Sequence, residues 1–214
     1  MSKIKSLKLD KKGARQALTV EELERLRDAC EGYREKALVE FLVSSGCRLS
    51  EVAQLSASDL NLTDRSVQVT GKGDKDRSVY FSVRARLMLQ EYIRERKGGE
   101  GLFCSCKSPY QPLKQRAIQR IIHNISERAG LAARVHPHLL RHTFATHALT
   151  SGVDAKTLSG ILGHTNASFT LDTYTHVTSD MQKTASGIVG GFMEDIFGKE
   201  LKPWQENEKP ETGL

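Results

Sequence analysis

The chain has 214 residues, with 32 Lys plus Arg against 26 Asp plus Glu and a formal charge of +6. That length holds one large domain or two small ones, with ample material for a core. No run approaches the roughly eighteen consecutive apolar residues of a membrane span, and the opening MSKIKSLKLDKKGAR has no apolar segment of the secretory-signal kind.

Residues 1 to 16 read as a basic arm or interdomain linker. Residues 1 to 20 carry six bases (Lys3, Lys5, Lys8, Lys11, Lys12, Arg15) against Asp10 alone. LTVEELERLRDAC opens a first helix: Thr19 with Glu22 fits a capping box, and Val20, Leu23, Leu26 and Cys30 recur at helical spacing. YREKALVEFLVSSG is a second helix with Ala37, Leu38, Phe41 and Leu42 on one face, ended by Gly46. LSEVAQL starts a short third, with Ser50 as its N-cap.

The period then changes from helical to alternating. SVQV and SVYF flank the turn residues TGKGDKDR, which makes residues 66–81 a β-hairpin. VRARLMLQEYIRER returns to helix and GGEG stops it; LFCS reads as a third, short strand. Residues 113–129 form a helix with Leu113, Ala117, Ile118, Ile121, Ile122 and Ile125 inward. Pro137 suits a first helical turn, so a helix runs from about His138 to Thr150 and closes at Gly152. AKTLSGILG is a short helix, residues 179–201 hold a last amphipathic one weakened by Gly187, Gly190 and Gly191, and residues 202–214 read as a disordered tail. The fold class expected is mainly α with a small antiparallel β-sheet (α+β). The four cysteines, Cys30, Cys47, Cys104 and Cys106, make no CxxC pair and are expected as reduced, buried small residues.

HPHLLRHTFATH concentrates four histidines and one arginine in residues 136–147, with no carboxylate or cysteine. His138 and His142 could share a helix face, but the glutamate of an HExxH zinc motif is missing and Arg141 would repel a cation. No metal and no cofactor are expected. Read for an anion, His138 and Arg141 at i, i+3 project from one face near a helix N-terminus, where a guanidinium fork and an imidazole can grip a phosphate. An HxxR pair alone fits ordinary polar surface better. His136, His142 and His147 are read as structural. The basic balance favours a polyanion as partner, nucleic acid first.

Five blocks in order change that balance: Arg48 in SSGCRLSEVAQL, Lys72 in VTGKGDKDRSVYF, His138 and Arg141 in HLLRHTFATH, His164 in ILGHTN, and Tyr174 in DTYTHV. In this order the chain, from about Leu18 to Val177, resembles the catalytic domain of the tyrosine recombinase, or phage integrase, family, with Xer-type recombinases and conjugative-transposon integrases most similar. The gap from His164 to Tyr174 is ten residues where nine is commoner, which lengthens the loop before the tyrosine.

The resemblance implies a catalytic domain over residues 17–178 and a site-specific recombinase. Tyr174 would attack a phosphodiester of double-stranded DNA, giving a 3′-phosphotyrosyl link and a free 5′-hydroxyl, without metal or ATP. Arg48 and Arg141 would fork the non-bridging oxygens, a role in which one lost donor typically costs about 2.7–4 kcal/mol of barrier. His138 is implied as general base and Lys72 as general acid, with Lys75 its rival. His164 would hydrogen-bond a non-bridging oxygen and Glu51 would orient the site. Lys75, Arg77, Lys114, Arg116 and Arg120 are candidate phosphate contacts, although solvated helix faces account for them as well. Family members usually carry a helical core-binding domain ahead of this one, for which the chain has no room. A synaptic tetramer on DNA is implied for the full-length form, a monomer in solution for this fragment, and a cytoplasmic, nucleoid-associated place in a prokaryotic cell. The final helix could dock on a neighbouring protomer or on its own domain. A non-catalytic DNA-binding module of the same fold is the alternative function.

Overall fold

The computed structural model describes residues 16–71, 76–131, 135–164, 167–174 and 186. The expected basic arm, the hairpin-tip residues Lys72 and Lys75, the final helix apart from Ser186, and the tail lie outside the described residues. The chain divides into two units, residues 1–173 and 174–214.

The first unit is helical around one small sheet. Its helices are α1 (Val20–Asp28), α2 (Gly32–Ser45), α3 (Leu49–Val52), α4 (Val83–Glu95), α5 (Gln115–Arg128), α6 (Pro137–Thr150), α7 (Ala155–Leu162) and α8 (Ala167–Thr173). The strands are β1 (Leu60–Asn61), β2 (Ser66–Thr70) and β3 (Asp76–Tyr80), antiparallel in the order β1-β2-β3. No helix among the described residues is long and apolar enough to cross a membrane.

Helix α2 is the axis of the core. Ala37, Leu38, Val39, Phe41 and Leu42 are all buried, so apolar surface covers it on more than the single face that its spacing predicts. Phe41 meets Phe81 at 5.6 Å and Phe103 at 6.5 Å between ring centroids. Phe103 in turn stacks on Tyr92 of α4 at 5.6 Å. Truncating a ring so enclosed costs on the order of 3–5 kcal/mol. Ile118, Ile122 and Ile125 of α5 close the other side.

Local rules set the helix ends. Thr19 and Glu22 make the reciprocal capping box of α1. Val20, however, is 62% exposed, and Leu18 takes the buried place beside it. Leu18 is held from both backbone groups: its N–H donates to Thr143 Oγ1 at 3.0 Å and its carbonyl lies 3.2 Å from His147 Nε2. Thr143 and His147 are one turn apart on α6, so this helix holds the entry to α1 at two points. The N-cap of α3 is Arg48, not Ser50, because Glu51 reaches back 2.7 Å to the Arg48 N–H and fixes the start of the helix there.

In the sheet, β2 and β3 pair as the hairpin, Val67 opposite Val79 and Val69 opposite Arg77. The third strand is Leu60–Asn61, paired to Val67 and Ser66. LFCS is not a strand: Leu102 N–H donates to Leu55 O at 2.6 Å, and Cys104 makes only an isolated bridge to Pro112. The stretch ahead of Tyr174 is the helix α8 where a loop was expected. Cys30, Cys47 and Cys104 are buried free thiols, whereas Cys106 is exposed.

Candidate active site

Two helix C-termini build the site. α2 ends on Gly46 at φ 62° and α7 on Gly163 at φ 61°, both left-handed, a conformation that L side chains rarely adopt. Such ends leave carbonyls without intrahelical donors and carry the negative pole of the helix dipole. Two arginines meet these carbonyls. Arg141, from the second turn of α6 and only 7% exposed, donates to Gly46 O and, at 2.7 Å, to Leu162 O. Arg48 donates to Gly163 O at 2.6 Å. A Cβ on Gly46 would lie 2.5 Å from the Phe144 ring, so glycine is needed there for space as well as for its backbone.

A buried carboxylate joins these ends to the sheet. Glu51, 4% exposed, takes Arg48 Nη1 at 3.1 Å and a bidentate fork from Arg77 at 2.8 and 2.9 Å. Burial alone would raise the Glu51 pKa. The hydrogen bonds from Arg77 and from the Arg48 backbone and side chain overcome it and hold the carboxyl below its usual range. Arg77, expected at the phosphate backbone, thus has its fork on Glu51, and its Nε donates to Ile161 O at 3.0 Å. The alternation of β3 explains this: Arg77 shares the inward face with Val79.

His164 follows the α7 cap. Its Nε2 lies 3.2 Å from Arg141 Nη2 and its Nδ1 2.7 Å from Thr170 Oγ1 of α8. Arginine can only donate, so Nε2 accepts and Nδ1 carries the proton, an assignment that follows from the partners. Burial, then the charges of Arg141, Arg48 and Arg77, lower the His164 pKa to about 4.

Arg48, His138, Arg141 and His164 line one cleft of about 730 Å³. His138 is exposed at the N-terminal end of α6, next to His136, whose Nδ1 caps that helix by accepting from Leu139 N–H at 3.2 Å. Cys47 also lines the cleft, but burial pushes its thiol up to about 11, so it stays protonated near neutral pH. Sequence reading missed Gln115 and Gln119 on the α5 wall of the cleft, and Thr170 behind His164. The i, i+4 spacing of the two glutamines was the available signal for the first pair. Lys114, Arg116 and Arg120 are exposed on and just before α5. Tyr174 opens the second unit and is 4% exposed.

A mainly helical unit with a three-stranded antiparallel sheet and a cationic cleft is the catalytic-domain fold of the tyrosine recombinases. The phage integrase family model matches residues 16–181, and the chain belongs to that family. It is 40% identical over 176 residues to the tyrosine recombinase XerC of Halalkalibacterium halodurans, covering 75% of this chain and 57% of that protein. The crystal structure of XerA recombinase superposes with a TM-score of 0.70 at 31% identity, over 79% of this chain and 63% of that one. The Tn1549 transposon integrase, solved in complex with transposon right end DNA, shares the fold at a TM-score of 0.65 and 20% identity, over 80% of this chain and 66% of that one. The chain spans about half the length of the curated relatives it matches.

Proposed function

We propose that the chain is the catalytic part of a site-specific recombinase that breaks and rejoins double-stranded DNA through Tyr174. The observation that carries this reading is the meeting of Arg48, His138, Arg141 and His164, drawn from three separate segments, on one cleft. The net charge of +6 and the DNA-bound integrase of the same fold support duplex DNA as partner.

The Tyr174 hydroxyl attacks phosphorus while His138 takes its proton. The P–O5′ bond breaks, and the leaving 5′-oxygen takes a proton from Lys72. Charge gathers on the non-bridging oxygens, where Arg48 and Arg141 receive it. Each guanidinium carries five N–H donors in a planar fork, the geometry that suits a phosphate. The phosphate also offsets the arginine charges that keep His164 neutral, so its Nε2 takes a proton from water and donates to one of the same two non-bridging oxygens. A 5′-hydroxyl from a second DNA end then reverses the step and frees the tyrosine. On paired DNA sites in the prokaryotic cytoplasm the protein works as a tetramer, and this chain alone in solution is a monomer.

The test is a covalent trap. The chain is incubated in EDTA with a pool of labelled duplexes, randomised at the centre and nicked beside it, so that the freed fragment diffuses away. A denaturation-resistant protein–DNA band in the wild type that Tyr174→Phe abolishes is the expected result. No band, even with a core-binding domain supplied in front, would favour a non-catalytic DNA-binding module.

A further inference from the structure

Arg77 does more than fill an inward position on β3. Its fork takes both oxygens of Glu51, its Nε holds Ile161 O at 3.0 Å, and its guanidinium lies under the α7 cap, where a Cβ on Gly163 would come within 2.9 Å of it. One side chain thus ties the hairpin, the start of α3 and the turn from which His164 emerges. Glu51 Oε1 is shared, 2.8 Å from Arg77 and 3.1 Å from Arg48. With Arg77 gone, that buried carboxylate would keep Arg48 as its ion-pair partner among the described residues and would draw the Arg48 fork onto itself.

We infer that Arg77 is a positioning residue that occupies Glu51, so that this carboxylate anchors Arg48 without neutralising it toward a phosphate. The inference rests on the recombinase reading above. It assigns Arg77 no contact with DNA.

The experiment is a charge-compensation cycle in the same trap, on the full chain, with circular-dichroism melting of every variant. Arg77→Gln should slow adduct formation at saturating DNA on the order of 10²-fold, the scale of one displaced oxyanion donor. Arg77→Gln combined with Glu51→Gln should recover at least about ten-fold of that loss, because the carboxylate that captures Arg48 is gone; a merely structural role gives no such rescue. Should Arg77→Gln fail to fold, Arg77→Lys keeps the charge without the fork, and its adduct level should fall between wild type and Arg48→Ala. The salt dependence of DNA binding should be unchanged in Arg77→Gln, since a lost phosphate contact lowers the slope by about one. An unrescued double variant, an unaffected Arg77→Gln, a Lys variant equal to wild type, or a reduced salt slope would each overturn the inference. A wild type that forms no adduct overturns the recombinase reading, and this inference with it.

Discussion

Two buried glutamates in this fold are each clasped by two arginines, and they do opposite things. Glu40 of α2 accepts from Arg27 of α1 at 2.7 and 3.1 Å and pairs with Arg84 of α4 at 3.0 Å, and both arginines also face Glu24. Two cations meet two carboxylates, and the group is a neutral staple across three helices. Around Glu51, among the described residues, three guanidinium groups (Arg48, Arg77 and Arg141) are bonded to one carboxylate and four backbone carbonyls. Carbonyls orient an arginine without cancelling its charge. The cleft therefore keeps a positive excess held in place before any ligand arrives, which is the arrangement that stabilises developing negative charge best. What distinguishes a staple from a site is the ratio of formal charges, not the presence of ion pairs.

The largest effect should come from the excess itself. Arg48→Ala or Arg141→Ala should lower the rate of covalent trapping by about 10²–10³-fold, or about 2.7–4 kcal/mol of barrier. Arg84→Ala, which removes an arginine from the staple, should leave trapping within about two-fold per folded molecule, because it is not at the cleft. Equal losses in both places would erase the contrast.

Next comes Glu40→Ala, which strands two arginines at the staple. Urea unfolding should show a loss of about 3 kcal/mol, at the low end for a broken buried pair because Arg84 is half exposed and water screens it. The adduct rate per folded molecule should not move.

The two glycine caps should separate in the same way. Gly46→Ala puts a Cβ into the Phe144 ring and forces a left-handed alanine, and should cost about 1–3 kcal/mol in urea unfolding. Gly163→Ala meets only the flexible end of Arg77, so its stability loss should be smaller while trapping falls with the displaced arginine.

The last contrast is a pH slope. His164 has a folded pKa of about 4 against an ordinary 6.5, so below 6.5 the unfolded chain binds a proton that the folded chain refuses. Stability should decline as pH falls from about 6.5 to about 4 and then stop responding to this group. His164→Gln should flatten that interval in urea unfolding followed against pH.

Much of this was legible in the residues, because several elements are set by short-range rules. The Thr19–Glu22 box, the glycine stops after Ser45 and Leu162, the hairpin and the α5 isoleucines each need only neighbours in the chain to be predicted. Val20 failed because helical spacing does not say which edge of an apolar stripe a neighbour covers, and α6 covers Leu18. LFCS has strand composition, but its backbone bonds go to Leu55 and Pro112 segments that no pattern pairs with it. β1 has two residues and α8 seven, too short for a period to register. At the site, residue types pointed to phosphate chemistry, and family order named the candidates. The seats could not be read: Arg77 is 26 positions from Glu51, and Arg141 is 95 from Gly46. An arginine in the inward phase of SVYF's alternation was the visible sign that it serves the interior.

The account's central claim is that this prepared cleft delivers a DNA phosphate to Tyr174, and peptide mapping of the trapped adduct tests it most directly. The adduct is digested with nuclease and protease, and the residue carrying the nucleotide remnant is located by tandem mass spectrometry. The account predicts a single linkage, from Tyr174 to a nucleotide 3′-phosphate. A linkage at another residue, or through a 5′-phosphate, would contradict it.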